Sequence, residues 1–235
     1  WLGNEGHEVF IHDCLGPGAA SDFQANIAAI LKFAPEIVGF STTTSSFPDA
    51  ARMAAAIKKN RPEVITVCGG VHCSALGASL LQAYPAFDFL IKGEGELTFA
   101  ELALGGDPAA VKGIIWRNGK EVVENSSRDT IPDLDILPFP AYERLKGFPH
   151  GYNLPLFSYA HFPGASMVTS RGCLFQCSYC DRSVFKKGFR YNSAKYIYNH
   201  LKHLKQQFGV RHVNIYDELF STEENRIIEL YEMLT

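Results

Sequence analysis

The chain has 235 residues, of which 46% are hydrophobic and 20% are charged, and its formal net charge is −3. This balance is typical of a soluble globular protein with room for one large or two modest domains, and it excludes disorder on a large scale. The basic residues are scattered, with short clusters such as Lys186-Lys187, so nucleic acid is not an expected partner and a small molecule is favoured.

The sequence also lacks targeting and membrane signals. No apolar stretch approaches the roughly 20 residues that cross a bilayer, and the N-terminus has no basic-then-apolar secretion pattern. We therefore expect a cytoplasmic protein without a membrane span. Both ends are interpreted as cut, because the chain opens in what resembles the tail of a helix and stops inside an amphipathic run, at Thr235.

Residues 8 to about 104 alternate β-rich runs with helical runs, which is typical of a parallel sheet covered on both faces. Strands are predicted at residues 9–11, 37–40, 64–68 and 87–91. Helices are predicted at residues 21–33, 48–60, 79–83 and 96–104. The alternation predicts a Rossmann-like, doubly wound α/β domain.

A hairpin and a proline-rich segment follow this domain. Two β-rich runs, 114–116 and 121–123, flank Arg117-Asn118-Gly119-Lys120, whose Asn-Gly centre predicts a two-residue turn. We expect this hairpin to close a first domain over residues 1–124 that lacks its first strand. Residues 125–165 contain six prolines and no sustained period, so they are predicted to be an extended connector.

The last segment, residues 166–235, repeats a β/α pattern. It comprises a strand at 166–169, a helix at 194–208 between Ser193 and Gly209, and a strand at 212–216. A final helix is expected to begin at a capping box formed by Ser221 and Glu224. This order predicts the first units of a TIM-type β/α barrel.

Three cysteines lie between the first strand and the first helix of this segment, at Cys173, Cys177 and Cys180. So short a loop can present three thiolates to one inorganic centre, and thiolates suit iron–sulfur clusters or zinc. Structural zinc usually takes four protein ligands, often as two cysteine pairs, and the sequence has no second pair. A zinc site completed by a distant histidine, such as His161 or His203, is the alternative.

The spacing Cys-x3-Cys-x2-Cys, with an aromatic residue before the last cysteine, resembles the signature of the radical S-adenosylmethionine (SAM) superfamily. The resemblance implies that the three cysteines hold a 4Fe-4S cluster whose open iron chelates SAM, and that Tyr179 lies near the adenine. It also implies that the acidic turn of Asp217 and Glu218, after the second barrel strand, helps to bind SAM. A solvated acidic loop near a helix N-terminus remains the alternative for both residues.

Small and polar residues follow three strands of the first domain, at the sheet edge where doubly wound folds bind ligands. They are Ser41, Thr42, Thr43, Gly69, Gly70, Gly93 and Glu94. Each piece alone is also typical of a tight turn or a polar loop. Their order ahead of the cysteines resembles the cobalamin-binding domain that precedes many radical SAM barrels, so we expect all seven residues to contact cobalamin.

One motif departs from many cobalamin domains, in which Asp-x-His-x-x-Gly supplies a histidine to cobalt. Residues 12–16 do not match it, so the lower ligand of the cobalt is left open, and His72 is not expected to provide it. In the resembling radical enzymes the motif is often absent.

The resemblance implies an enzyme that cleaves SAM reductively to a 5′-deoxyadenosyl radical and methylates an unactivated carbon of a small molecule through methylcobalamin. It needs an electron donor such as flavodoxin or ferredoxin, and no catalytic residue apart from the cluster ligands is expected. A cobalamin-dependent radical cyclase or rearrangement enzyme, and a non-catalytic cluster-bearing sensor, are the alternatives.

Overall fold

The structure is a computed structural model that describes residues 2–17, 19, 22–155, 160–185 and 188–235. The chain divides into two compact units. The first comprises Trp1–Glu8, Ala20–Ile131 and Tyr179–Lys186, and the second comprises Val9–Ala19, Pro132–Ser178 and Lys187–Thr235. The predicted start of the first helix at Ser21, and the basic cluster Lys186-Lys187, lie outside the described residues.

The first unit contains a five-stranded sheet in the order β1-β2-β3-β4-β5. Its strands are β1 (Ile37–Ser41), β2 (Ile65–Gly69), β3 (Phe89–Ile91), β4 (Ile114–Asn118) and β5 (Glu121–Glu124). Strands β1, β2 and β3 are parallel, whereas the β4–β5 hairpin adds to β3 in antiparallel orientation. The predicted α/β fold with a parallel sheet is confirmed. Because Asn118 pairs with Glu121, the hairpin turn is formed by Gly119 and Lys120, one residue later than predicted.

Among the described residues, five α-helices accompany this sheet: α1 (Phe23–Lys32), α2 (Phe47–Asn60), α3 (Val71–Leu76), α4 (Ala78–Ala83) and α5 (Glu96–Ala103). Apolar side chains at helical spacing, such as Ala54 and Ile57 of α2, are fully buried against the sheet. The four predicted helices are present with ends shifted by a few residues. The sequence prediction missed α3, since its six residues are too few to produce a recognisable helical period.

The predicted strand at residues 9–11 is wrong. These residues have no strand partner among the described residues, and the side chains of Phe10 and Ile11 are 46% and 36% exposed. Within the described sheet β1 is an edge strand that pairs only with β2. The carbonyl of Val9 instead accepts a hydrogen bond from Nη1 of Arg144 at 2.6 Å. An apolar triplet forms a strand only where a neighbouring strand can take its backbone hydrogen bonds.

The second unit is built around two parallel strands, β6 (Gly164–Met167) and β9 (His212–Ile215). Helix α6 (Ala194–Phe208) connects them, and α7 (Glu224–Leu234) follows β9. Ser193 Oγ accepts a hydrogen bond from the backbone N–H of Tyr196 at 3.1 Å, and Gly209 closes α6 with a φ of +66°, as their positions in the sequence predict. No described helix has the length and apolar character needed to cross a membrane.

Two details of the second unit differ from prediction. Strand β6 ends at Met167, and the chain turns into β7 (Ser170–Gly172), which pairs in antiparallel orientation with β8 (Phe189–Tyr191). The capping box does not form, because Ser221 lies within a 3-10 turn, Phe220–Thr222, and α7 begins at Glu224 without a side-chain cap.

Candidate cofactor sites

Thr42 links the ends of β1 and β2 by hydrogen bonds. Its backbone N–H and its Oγ1 both donate to the carbonyl of Gly69, each at 3.0 Å, and the residue is 3% exposed. Its neighbours Ser41 and Thr43 are exposed. The predicted hydroxyl cluster is therefore divided, with Thr42 holding the sheet edge and the flanking hydroxyls accessible.

A glycine is required at position 70, because the backbone there lies close to that of Thr42. Its φ is +97°, and a Cβ built there would lie 2.4 Å from the carbonyl oxygen and 2.8 Å from the backbone nitrogen of Thr42. At Gly69, in contrast, a Cβ would meet only ordinary contacts, the nearest being Cβ of Ile91 at 3.7 Å. The first glycine therefore leaves space at the edge, whereas the second permits contact between two strand ends.

Ser74, which the sequence prediction missed, links two of the predicted glycine turns. Its Oγ donates to the carbonyl of Gly70 at 3.0 Å and accepts from the backbone N–H of Gly93 at 3.0 Å. Glu94 accepts a bond from the N–H of Ile131 through Oε2 at 3.1 Å. The ends of β1, β2 and β3 thus form one hydrogen-bonded edge. A serine in the helical turn after Gly-Gly was the only available sequence signal.

Two buried thiols lie behind this edge. Sγ of Cys73 lies 3.2 Å from Sγ of Cys68, and both residues are fully buried. The hydrogen bond with Cys73, together with burial, raises the pKa of the Cys68 thiol. Cys68 therefore stays protonated at neutral pH. His72 contacts Oγ1 of Thr44 through Nδ1 at 3.1 Å, so its ring takes part in the local loop structure.

The cysteine loop leaves from β7 and returns to β8, and the β7–β8 ladder closes its base. Cys173 is half-buried, whereas Cys177 and Cys180 are exposed, and none of these three thiols forms a disulfide. Tyr179 is 90% exposed. Within the described ranges, no three His, Cys, Asp or Glu side chains are grouped as metal ligands. The boundary between the two units falls between Ser178 and Tyr179.

Asp217, which follows β9, is directed into the protein. Its side chain has no exposed surface; Oδ1 accepts from the backbone N–H groups of Thr169 and Ser170, and Oδ2 accepts from Oγ1 of Thr169. Nη2 of Arg226 lies 3.8 Å from Oδ2. Glu218, the next residue, is exposed. Asp217 and Glu218, which the sequence analysis assigned together to SAM binding, therefore have different environments.

The residues at both sites are chemically suited to the cofactors that the sequence predicts. Three thiols within eight positions, none in a disulfide, match the ligand preference of an iron–sulfur cluster. Close to them in the sequence, Oγ of Ser170 is buried and has no hydrogen-bond partner among the described residues. On the glycine-containing edge of the first unit, Gly69 is half-buried and has no side chain that would keep a broad ligand from the backbone.

The fold consists of an α/β domain with a glycine-containing sheet edge, followed by a cysteine loop on a β/α unit. Residues 1–103 match the family model of the B12-binding domain. The chain is therefore similar to B12-binding domains over these residues, all of which except Val9–Ala19 belong to the first unit.

Relatives extend this likeness over the rest of the chain. The chain is 31% identical to an uncharacterized methyltransferase of Pyrococcus horikoshii, over 96% of this chain and 48% of that protein. It is 29% identical to the anaerobic magnesium-protoporphyrin IX monomethyl ester cyclase of Synechocystis, over 91% of this chain and 42% of that protein. The cobalamin-dependent radical SAM methyltransferase TokK of Streptomyces tokunonensis is 30% identical over 69% of this chain and 25% of its own length.

Among solved structures, the cobalamin-dependent SAM radical enzyme OxsB with aqua-cobalamin bound has the same fold, with a TM-score of 0.73 and 22% identity over 92% of this chain and 31% of that chain. The predicted relationship is confirmed: the chain is a relative of the cobalamin-dependent radical SAM enzymes. It spans about half or less of the length of the curated relatives described above.

Proposed function

We propose that this protein is a cobalamin-dependent radical SAM enzyme that methylates an unactivated carbon of a small molecule. The observation that carries the proposal is the succession, in one chain, of a B12-binding domain and a three-cysteine loop whose base is closed by the β7–β8 ladder. Neither feature alone specifies the chemistry. Together they supply binding groups for a methyl carrier and for a radical initiator.

The first unit would hold cobalamin along the edge formed by the ends of β1, β2 and β3. Gly69 and Gly93 would let a broad planar ligand approach the backbone, and Gly70 would keep the edge in shape through its close contact with Thr42. The exposed hydroxyls of Ser41 and Thr43 are suited to hydrogen bonds with its polar substituents. Thr42, Ser74 and Glu94 bond to the protein itself, so their part in the proposal is to keep this edge in place.

At the second site, Cys173, Cys177 and Cys180 would bind the 4Fe-4S cluster. The exposed ring of Tyr179 would stack on the adenine of SAM, and the exposed carboxylate of Glu218 would accept hydrogen bonds from its ammonium group. When bound, the cofactors supply the reductive cleavage of SAM and the methyl group. The role of the protein is to bind and orient them and to exclude water.

The proposal includes a one-electron donor such as flavodoxin or ferredoxin, since reductive cleavage of SAM needs an external electron. It also includes a reducing, cytoplasmic setting, in which the cluster cysteines remain thiols. Both are predictions that a purification from the native source with its redox partners can check.

Cyclisation is a second candidate, favoured by the 29% identity to the anaerobic magnesium-protoporphyrin IX monomethyl ester cyclase. In such a reaction the radical generated from SAM would lead to a new ring bond, and no methyl group would appear in the product. A cluster-bearing sensor without turnover is the third candidate. It would retain both cofactors and would not cleave SAM under strong reductant.

The experiment uses the protein in its natural length, reconstituted without oxygen with iron, sulfide and hydroxocobalamin, and supplied with SAM and reductant. We expect bound cobalamin in the visible spectrum, together with 5′-deoxyadenosine and S-adenosylhomocysteine. Cys177→Ala should abolish 5′-deoxyadenosine formation and retain cobalamin, whereas Cys14→Ala serves as the matched control.

Absence of bound cobalamin in the purified protein would remove methyl transfer. Formation of 5′-deoxyadenosine without S-adenosylhomocysteine, in the presence of the substrate, would favour the cyclase or rearrangement reaction. An intact cluster that never cleaves SAM would favour the sensor.

A further inference from the structure

The buried carboxylate of Asp217 points to a function different from that of its exposed neighbour. We propose that Asp217, together with Arg226, is a positioning residue that fixes the base of the cysteine loop, and that it does not contact SAM. We call Asp217 and Arg226, with the contacts that they make to Thr169, the clamp. The importance of the cysteine loop rests on the proposed function, whereas the contacts of the clamp are made within the protein itself.

Thr169 lies four residues before the first cysteine of the loop. Its N–H and Oγ1 donate to Asp217, and its carbonyl accepts from the N–H of Asn192 at 2.8 Å and from Nη1 of Arg226 at 3.3 Å. Thr169 has no exposed surface. Every polar atom of this residue is therefore bonded, and the chain leading into β7 is held in one position.

Arg226 contacts both sides of the loop base. Its guanidinium carbon lies 5.0 Å from the ring centre of Tyr191, at the end of β8, and 5.0 Å from that of Phe220. Nη2 donates to the carbonyl of Phe220 at 2.6 Å. The arginine thus contacts Thr169 before β7 and Tyr191 after the loop returns.

Arg226 is 4% exposed, and burial lowers the pKa of its guanidinium while Asp217 opposes that effect. A buried carboxylate needs such a partner, because removing one member of a buried pair leaves an uncompensated charge. The two residues therefore form one unit, in which each stabilises the charge of the other.

The consequence for SAM follows from the bonds already made. An ammonium group that approached Asp217 would have to displace N–H and hydroxyl donors from a carboxylate with no exposed surface. Glu218 is exposed and adjacent in the sequence, so it is the acid available to a ligand. The clamp preorganises strand β7, which leads into Cys173, as supporting residues do for metal ligands elsewhere.

The clamp is tested first without cofactors, by amide hydrogen exchange on the protein in its natural length. In Asp217→Asn and Asp217→Ala we expect the amides of Thr169 and Ser170 to exchange at least about tenfold faster, since each loses a charge-assisted hydrogen bond. The matched control is Glu229→Gln, which removes a negative charge from the exposed face of α7 and should leave these amides unchanged. If the amides of Thr169 and Ser170 exchange at the unchanged rate in both Asp217 variants, the clamp is overturned. If Asp217→Ala does not fold, the result for Asp217→Asn alone decides the question.

The second measurement separates positioning from ligation, by iron content and SAM affinity after anaerobic reconstitution. Asp217→Asn should bind less iron and show an altered electron paramagnetic resonance spectrum, while its remaining clusters bind SAM with unchanged affinity. Glu218→Gln should retain its iron and bind SAM more weakly. Full iron content with weakened SAM binding in Asp217→Asn would indicate that Asp217 binds SAM directly, and this would overturn the proposal. Failure of the unmodified protein to incorporate any cluster would remove the proposed function, whereas the exchange measurement would still decide the clamp.

Discussion

Replacing Gly70 by alanine tests the construction of the cobalamin edge. The new Cβ would lie 2.4 Å from the carbonyl oxygen of Thr42, so the ends of β1 and β2 must separate. A backbone with a φ of +97° and a ψ of −173° costs about 1–3 kcal/mol for a residue with a Cβ. Loss of the two bonds from Thr42 to Gly69, in a residue that is 3% exposed, adds about 2 kcal/mol or more. We therefore expect the free energy of unfolding to fall by about 3–5 kcal/mol.

Gly105→Ala is the matched control, because Gly105 has a φ of +82° and no atom within 4 Å of the position that a Cβ would take. It shares the positive φ without the clash, so its loss should be about 1–2 kcal/mol. Urea unfolding followed by the fluorescence of Trp116, which lies in β4, reports on the first unit. Cobalamin affinity, measured by visible titration, should fall at least about tenfold in Gly70→Ala and remain unchanged in the control. Equal effects of both substitutions on stability and affinity would refute the reasoning.

Two further predictions concern titratable side chains. In cofactor-free protein, brief iodoacetamide treatment should modify Cys177 and Cys180 before Cys68, since a hydrogen bond to the neighbouring thiol and burial raise the pKa of Cys68. Cluster assembly should protect the first two while exposed Cys14 continues to react, and mass spectrometry that shows equal labelling throughout would contradict this. Burial and a neighbouring histidine lower the pKa of His200 from 6.5 to about 4. The unfolded chain therefore takes up a proton that the folded chain does not, and stability should fall by up to about 3 kcal/mol as the pH drops from 6.5 to about 4. Chemical unfolding at several pH values should show a shallower slope for His200→Phe, and parallel profiles would contradict the assignment.

The local features of this fold could be predicted because their signals lie within a few residues. Helix α6 is bounded by Ser193 and Gly209, and both residues act as the cap and the terminator that their types favour. The apolar runs of β1 and β2 likewise predict strands of a parallel sheet, although β1 lies at the edge of the described sheet and not in its centre. Short-range chemistry therefore predicted the order of the main elements.

Features that depend on distant partners could not be predicted. Ser74 bonds to Gly93, 19 residues away, and Asp217 bonds to Thr169, 48 residues away. A sequence pattern identifies an acid after a strand, but it does not show whether the carboxylate faces a ligand or the protein interior. The prediction of a strand at residues 9–11 was wrong for the same reason, since a strand requires a partner strand that the apolar run itself does not specify.

The account depends most on a 4Fe-4S cluster bound by three protein thiolates, with one iron left for SAM. Mössbauer spectroscopy of the protein reconstituted with iron-57, recorded before and after SAM is added, tests this directly. We predict the spectrum of a 4Fe-4S cluster in which one iron site alone changes with SAM, and its loss in Cys177→Ala. A single zinc ion in the purified protein, or an iron spectrum that SAM does not alter, would contradict the account.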